Sequence, residues 1–130
     1  MEPGRRHTLG QKAERYALAW LRRAGLDLVT RNFRTRHGEI DLVMHDVECL
    51  VFVEVRLRRH TAFGRAAGSI DHYKRRRLIL AAATFLARHR RWQKSPIRFD
   101  VVALDASAGG DYGVDWIRDA FRPDRATDLG

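Results

Sequence analysis

The chain has 130 residues, of which 45% are hydrophobic, and a formal net charge of +9 at pH 7. This predicts a single globular domain over residues 1–130, with flexible ends at 1–7 and 122–130. The single cysteine, Cys49, excludes an internal disulfide framework and argues against a cysteine-based zinc site. Because the sequence has no signal-peptide pattern and no apolar run of membrane-spanning length, we expect a cytoplasmic protein that does not bind membranes. The positive charge favours an anionic partner, with nucleic acid first.

The first predicted elements are a helix and a strand. Thr8 is placed to cap a helix that Gly25 ends, and one helical face is apolar, with Ala13, Tyr16, Ala17, Trp20, Leu21 and Ala24. Glu14 falls at the edge of this face, so it either reaches a site at the end of the sheet or is an ordinary surface glutamate. Residues 26–33 have the β-branched and aromatic content of a strand.

Residues 38–56, GEIDLVMHDVECLVFVEVR, alternate polar and apolar side chains in two runs separated by a polar turn, which predicts a β-hairpin. With the turn centred between Val47 and Glu48, Asp41 lies opposite Glu54. Like charges at such close range destabilise a sheet unless something neutralises them. Two converging carboxylates suit a magnesium ion that acts on phosphodiesters. The alternative is a solvated hairpin face whose charges pair across the strands.

The segment from Arg56 to Arg98 is strongly basic, with 13 Lys or Arg against one acid, Asp71. Arg58 and Arg59 open a stretch, containing also residues 60–61 and 63–69, that predicts a mobile basic loop. Such a loop either takes up phosphates through amides and arginines or is simply solvated.

A second helix is predicted from a Ser69 cap to about Arg91, with an apolar face made by Leu78, Ala81, Ala82 and Phe85. Lys74 falls inside this face, so its ammonium group either reaches the site or extends to solvent. The arginines that follow it, Arg75 to Arg77, form an outer face that contacts phosphates or only aids solubility.

Two more strands, over residues 97–104 and 114–118, complete the order α-β-β-β-α-β-β. This order predicts an α/β (α+β) protein with a mixed sheet flanked by helices. With an acid on the second strand and Glu-x-Arg on the third, it resembles the restriction-endonuclease-like core of the PD-(D/E)xK nucleases. More narrowly, GEIDLV, FVEVRLRR, the helix start at Lys74, RFDVVAL and VDWIRDAF resemble the YraN family of bacterial predicted endonucleases, which is similar to archaeal Holliday-junction resolvases. The resemblance covers about residues 9–121.

The resemblance implies a Mg²⁺- or Mn²⁺-dependent endonuclease that hydrolyses DNA phosphodiester bonds, including those of branched or structured DNA. It implies the metal ligands Asp41, Glu54, the backbone carbonyl of Val55, and Glu14. It also implies a phosphate contact for Lys74, beside the nucleic-acid-binding arginines Arg58, Arg59 and Arg75 that the charge pattern suggests. By analogy with junction-cleaving relatives, a homodimer is expected.

Arg56 is the third catalytic candidate, beside Asp41 and Glu54, and it departs from the lysine usual in the superfamily. A guanidinium stays protonated and cannot act as a general base, but it can hold the scissile phosphate and stabilise its developing charge. Glu39 lies opposite Arg56 in the predicted hairpin and is expected to pair with it. Two other functions remain open: a non-catalytic nucleic-acid-binding protein on a nuclease fold, and an adaptor that binds acidic proteins.

Overall fold

A five-stranded sheet lies between two helices in the computed structural model, which describes residues 8–58, 70–106 and 111–123. In chain order the elements are α1 (Leu9–Arg23), β1 (Asp27–Thr35), β2 (Gly38–Asp46), β3 (Cys49–Arg58), α2 (His72–Arg88), a 3₁₀ turn (Arg90–Trp92), β4 (Ile97–Ala106) and β5 (Tyr112–Phe121). The predicted flexible ends fall mostly outside the described ranges, as do Arg59 and the rest of the predicted basic loop.

The strands lie in the sheet in sequence order, β1-β2-β3-β4-β5. Only β3 and β4 are parallel, and the other neighbours are antiparallel. Parallel neighbours need a crossover connection, and here the crossover contains α2. The mixed sheet and the order α-β-β-β-α-β-β expected from the sequence are therefore confirmed.

Each helix covers one face of the sheet with its own apolar cluster. The cluster between α1 and the sheet contains Ala13, Ala17, Leu18 and Leu21 of the helix and Leu42, Met44, Val51, Val53, Val102 and Leu104 of the strands. The cluster between α2 and the opposite face of the sheet includes Leu78, Ile79, Ala81, Ala82 and Phe85 of the helix and Ile40, Val43, Phe52, Phe99 and Val101 of the strands. Because both faces are covered, the central strands are apolar on both sides, as the run Leu50–Val53 shows. None of the helices in the described ranges is long and apolar enough to cross a membrane.

The helix ends were predicted well for α1 and wrongly for α2. Thr8 and Gln11 form a capping box at the start of α1, and Gly25, with φ +105°, follows its end. The cap of α2 is Asp71, not Ser69: its carboxylate accepts the Lys74 backbone N–H at 2.8 Å. Ser69 itself lies outside the described ranges, and α2 ends at Arg88, before the predicted Arg91.

The hairpin register is the predicted one along its paired length. Leu42 pairs with Val53 and Asp46 with Cys49, around a two-residue turn of Val47 and Glu48. Both later strands are longer than predicted, and β5 continues to Phe121. The turn therefore fixes which residues of β2 and β3 approach each other, and the crossover places the start of α2 over them.

Candidate active site

The alternation of β2 breaks at Asp41. Ile40 belongs to the apolar cluster under α2, whereas Leu42, two residues later, belongs to the cluster under α1. In a regular strand these two side chains would share a face. On the neighbouring strand, Asn32 has φ +54°. The pairs Arg31–Leu42 and Phe33–Ile40 keep one register on either side of it. At Asp41 the side chains of β2 therefore depart from the regular alternation between the two faces of the sheet.

Asp41 uses its side chain where the hairpin pairing stops. Its Oδ2 accepts the backbone N–H of Val55 at 2.8 Å. Burial, together with the negative charges of Glu54, Glu14 and Glu39, raises the pKa of Asp41 to about 8, and the hydrogen bond from Val55 opposes this rise. Four carboxyl groups thus influence one another at this end of the sheet. The site concentrates negative charge that the protein only partly compensates.

Glu54 is the most enclosed carboxylate of this group, with a side chain only 8% exposed. Its Oε2 lies 2.9 Å from the ammonium nitrogen Nζ of Lys74, which extends from the first turn of α2. The position of Lys74 in the apolar face of the helix predicted that its ammonium could reach the site, and the structure confirms this direction. A buried carboxylate without a partner would be costly, so Lys74 acts as its counter-ion.

Asp41, Glu54 and Lys74 line one cleft of about 230 Å³, together with Gly38, Glu39, Arg77 and Leu78. Arg77 forms part of its wall and is fixed there, because its Nε donates a hydrogen bond to the backbone carbonyl of His37 at 2.7 Å. The cleft therefore has acids at its floor, on β2 and β3, and cations on the α2 side. This distribution suits a phosphate group held over a divalent cation.

Glu39 lines both the cleft and the cavity next to it, whereas Glu14 lines only the neighbouring cavity. The Glu14 Oε1 accepts a hydrogen bond from the Asn32 side chain at 2.8 Å, and both glutamates line an adjoining cavity of about 260 Å³. Glu39 pairs with Arg34 of β1, with 3.5 Å between Arg34 Nε and Glu39 Oε2. The predicted pairing of Glu39 with Arg56 is therefore wrong, because Arg34 is its cross-strand partner.

The other predicted basic residues are not gathered at the cleft. Arg56 lies on the same side of β3 as Glu54 by alternation, but it does not line the cleft. Arg58 is the last residue of β3 rather than part of a loop, and its guanidinium binds both carboxylate oxygens of Asp105 at 2.9 and 2.8 Å. The predicted loop position of Arg58 is therefore wrong, because Asp105 lies opposite it on β4 and holds it in the sheet. Arg75 points its Nε into a buried position without a hydrogen-bond partner.

The donor set fits a hard divalent cation. Within the described ranges no group of three or more His, Cys, Asp or Glu side chains is arranged to hold a metal ion. Magnesium, however, often uses only one or two carboxylates and completes its shell with water and phosphate oxygens. Asp41 and Glu54 supply those two carboxylates, and the raised pKa of Asp41 marks negative charge that a cation would relieve. The Val55 carbonyl and Glu14 stay predicted additional ligands.

Two residues of the site were not predicted. Arg77 was assigned to the outer face of α2, although it lies three residues after Lys74 and so on nearly the same side of the helix. That spacing was the missed signal. Asn32 carries no comparable signal, because its role depends on a left-handed backbone conformation that the strand pattern hides.

Fold and site together define a mixed-sheet protein with an acidic cleft beside a basic helix. Residues 13–104 match the Uncharacterised protein family UPF0102. Relatives named UPF0102 protein include one from Pseudomonas fluorescens, 50% identical over 112 residues that cover 86% of this chain and 91% of the relative. Another, from Pseudomonas aeruginosa, is 53% identical over 113 residues that cover 86% and 90%. The chain belongs to this family, also called the YraN family, which confirms the resemblance.

Proposed function

We propose that the protein is a Mg²⁺- or Mn²⁺-dependent endonuclease that hydrolyses phosphodiester bonds of DNA, including branched or otherwise structured DNA. The observation that carries this proposal is the convergence of Asp41 and Glu54 in one cleft under the cations of α2. Carboxylates repel phosphate, so a surface that only binds DNA gains nothing from enclosing two of them there. A nuclease needs them, because they hold the cation that the substrate phosphate must approach.

Each residue of the cleft has a distinct part in the proposed reaction. Asp41 and Glu54 hold the cation, which when bound polarises the phosphate and lowers the pKa of water. Lys74 leaves Glu54 and binds a phosphate oxygen, while Arg77 at the wall orients the DNA backbone. Arg56 does not line the cleft, but it lies on the same side of β3 as Glu54, and from there its permanently protonated guanidinium would stabilise the charge that develops on the phosphate.

A second candidate function is nucleic-acid binding without cleavage. Two observations favour it: Arg56 replaces the lysine usual in the superfamily, and Lys74 already neutralises Glu54. On this alternative the basic surface provides all of the affinity, and the enclosed acids only weaken it.

Cleavage of labelled DNA distinguishes the two functions. Duplex, single-stranded, flap and four-way-junction DNAs are incubated with Mg²⁺, Mn²⁺ or EDTA and the wild type, Asp41→Asn or Glu54→Gln. Glu48→Gln is the matched control, because Glu48 is an exposed glutamate in the turn of the same hairpin. The endonuclease proposal expects metal-dependent cutting that both site variants lose and the control keeps. Binding without cutting, tightened by either site variant, would establish the binding protein instead.

The homodimer expected from the resemblance stays a prediction. Sedimentation velocity of the purified protein, with and without junction DNA, measures whether two copies associate.

A further inference from the structure

A basic groove of about 380 Å³ adjoins the acidic cleft. It is lined by Arg36, His37, Tyr73, Arg76, Arg77 and Leu80, a set without any acid. Arg77 lines both the groove and the cleft, so the two adjoin at this side chain near the start of α2. An extended anionic chain that enters the cleft can therefore continue into the groove.

Tyr73 presents an aromatic ring at this groove. Tyr73 is 69% exposed and is one of three large hydrophobic residues that are exposed in the described part of the chain. The guanidinium carbon of Arg77 lies 5.8 Å from the centre of the ring, at the range of a cation–π contact. Tyr73 is thus largely exposed to solvent and lies beside the positive charge of Arg77. An exposed aromatic ring next to a cation is suited to stacking a nucleic-acid base while the cation binds its phosphate.

The guanidinium groups around Tyr73 are prepared for an anion. The Nε of Arg76 is buried and has no hydrogen-bond partner, an arrangement that costs about 1–3 kcal/mol when nothing satisfies the donor. The Nε of Arg77 is held by the His37 carbonyl, which fixes the guanidinium at the boundary with the cleft. Because the Arg76 Nε is itself enclosed, a phosphate in the groove would meet the outer guanidinium nitrogens of Arg76 and Arg77, which line it.

We propose that this groove binds a single-stranded segment of the nucleic acid, with one base stacked on Tyr73 and its phosphates held by Arg76 and Arg77. A single strand is required because the faces of duplex bases are covered by their neighbours, whereas an unpaired base can stack on a side chain. The inference rests on the proposed function for the identity of the polymer. It deepens that function by naming the substrate class: DNA with an unpaired segment next to the bond that is cut.

Fluorescence anisotropy with labelled oligothymidylate and a labelled duplex tests the groove without cleavage, because EDTA is present throughout. Tyr73→Ala is expected to weaken single-strand binding about fivefold or more, the loss typical for one stacked base, and duplex binding less than about twofold. Tyr73→Phe keeps the ring and is expected to bind as the wild type does. Leu9→Ala, at an exposed apolar position on α1, is the matched control.

Arg76→Gln provides a second measurement on the same groove. Loss of one phosphate contact is expected to reduce the slope of log K against log salt for single-stranded DNA by about 0.7. The proposal is overturned if Tyr73→Ala weakens single-strand and duplex binding equally, or neither, or if the slope for Arg76→Gln is unchanged. Since these are binding measurements, a protein that cuts nothing but shows both effects would contradict the endonuclease proposal alone.

Discussion

Lys74 and Glu54 form an ion pair across two elements, with 2.9 Å between Nζ and Oε2, so α2 supplies the counter-ion of a carboxylate enclosed in the sheet. The ammonium occupies the place near Glu54 where a divalent cation would otherwise be attracted. A bound metal ion and Lys74 would therefore compete for the same negative charge. This competition makes the ion pair measurable without any assay of cleavage.

Lys74→Met is expected to destabilise the metal-free protein by about 1–2 kcal/mol, because Glu54 loses its partner while remaining buried. Added Mg²⁺ should then raise the Tm of the variant more than that of the wild type, since no ammonium competes for Glu54. Thermal unfolding at a series of Mg²⁺ concentrations measures both effects. Lys12→Met, on the exposed side of α1, is the control. Equal Mg²⁺ responses of Lys74→Met and wild type would show that Lys74 and metal do not share a site.

Asp41→Asn is expected to stabilise the metal-free protein in a pH-dependent way. The pKa of Asp41 is raised from 3.8 to about 8, so between these values the folded state keeps a proton that the unfolded state has lost. The free energy of unfolding of the wild type therefore falls as the pH rises through this window. Asparagine cannot ionise and can still accept the hydrogen bond from Val55.

The advantage of Asp41→Asn should be small near pH 4 and grow by up to about 1.4 kcal/mol per pH unit towards pH 8, in urea unfolding with EDTA present. Asp27→Asn, at an exposed position of β1, serves as the control and should show no such trend. A variant no more stable than the wild type at pH 8 would mean that the crowded acids do not strain the fold.

Asn32 is expected to matter through its backbone as well as its side chain. Its φ of +54° favours asparagine or glycine, and its side chain donates a hydrogen bond to Glu14. Both variants lose the hydrogen bond to Glu14. Asn32→Gly also removes the β-carbon and so relieves the left-handed backbone, whereas Asn32→Ala keeps a β-carbon without the polar side chain that lets asparagine adopt this conformation. Asn32→Ala should therefore cost about 1 kcal/mol more than Asn32→Gly in chemical unfolding. Equal stability of the two variants would show that the left-handed conformation at this bend is not required.

Asp100 is expected to be the most costly acid to remove. It is buried in β4, and its carboxylate accepts hydrogen bonds from the Arg98 guanidinium, the Trp116 indole and the Asp119 backbone N–H. Asp100→Ala leaves these donors without their acceptor and should cost about 3–5 kcal/mol in urea unfolding. The control is Asp105→Ala. Asp105 pairs with Arg58 and is more exposed than Asp100, so its removal should cost only about 1 kcal/mol. Similar losses for both would show that the bonds to Asp100 add no special stability.

The hairpin could be predicted because its information is local. A polar turn between two alternating runs fixed the register around Val47 and Glu48, and the register brought Asp41 and Glu54 to one end of the sheet. Helical periodicity left Lys74 either reaching the site or extending to solvent, and its ion pair with Glu54 agrees with the first alternative. These features depend on residues that are neighbours in sequence or one helical turn apart, which is the range that periodicity describes.

Apart from Arg77 and the cap of α2, the errors concern partners that are distant in sequence. Arg58 was assigned to a loop because nothing nearby indicated its ion pair with Asp105 on β4. Glu39 was paired with Arg56 because the register was extended past Leu42, where the hairpin pairing ends. The bend at Asp41 accompanies the left-handed conformation of Asn32 on another strand. Tertiary contacts of this kind leave no periodic trace in the sequence.

The parallel pairing of β3 with β4 also sets an order in which the site can assemble. The β2–β3 hairpin needs only a two-residue turn to close, whereas the pairing of β3 with β4 has to close the longer segment that contains α2. Contacts between residues close in sequence form faster than those that need a long loop to close. During folding, Asp41 and Glu54 thus come together before Lys74 arrives. Until α2 docks, the repulsion between Asp41 and Glu54 in the hairpin is not offset by Lys74. Docking of α2 therefore both allows β4 to join the sheet and supplies the positive charge that reduces this repulsion.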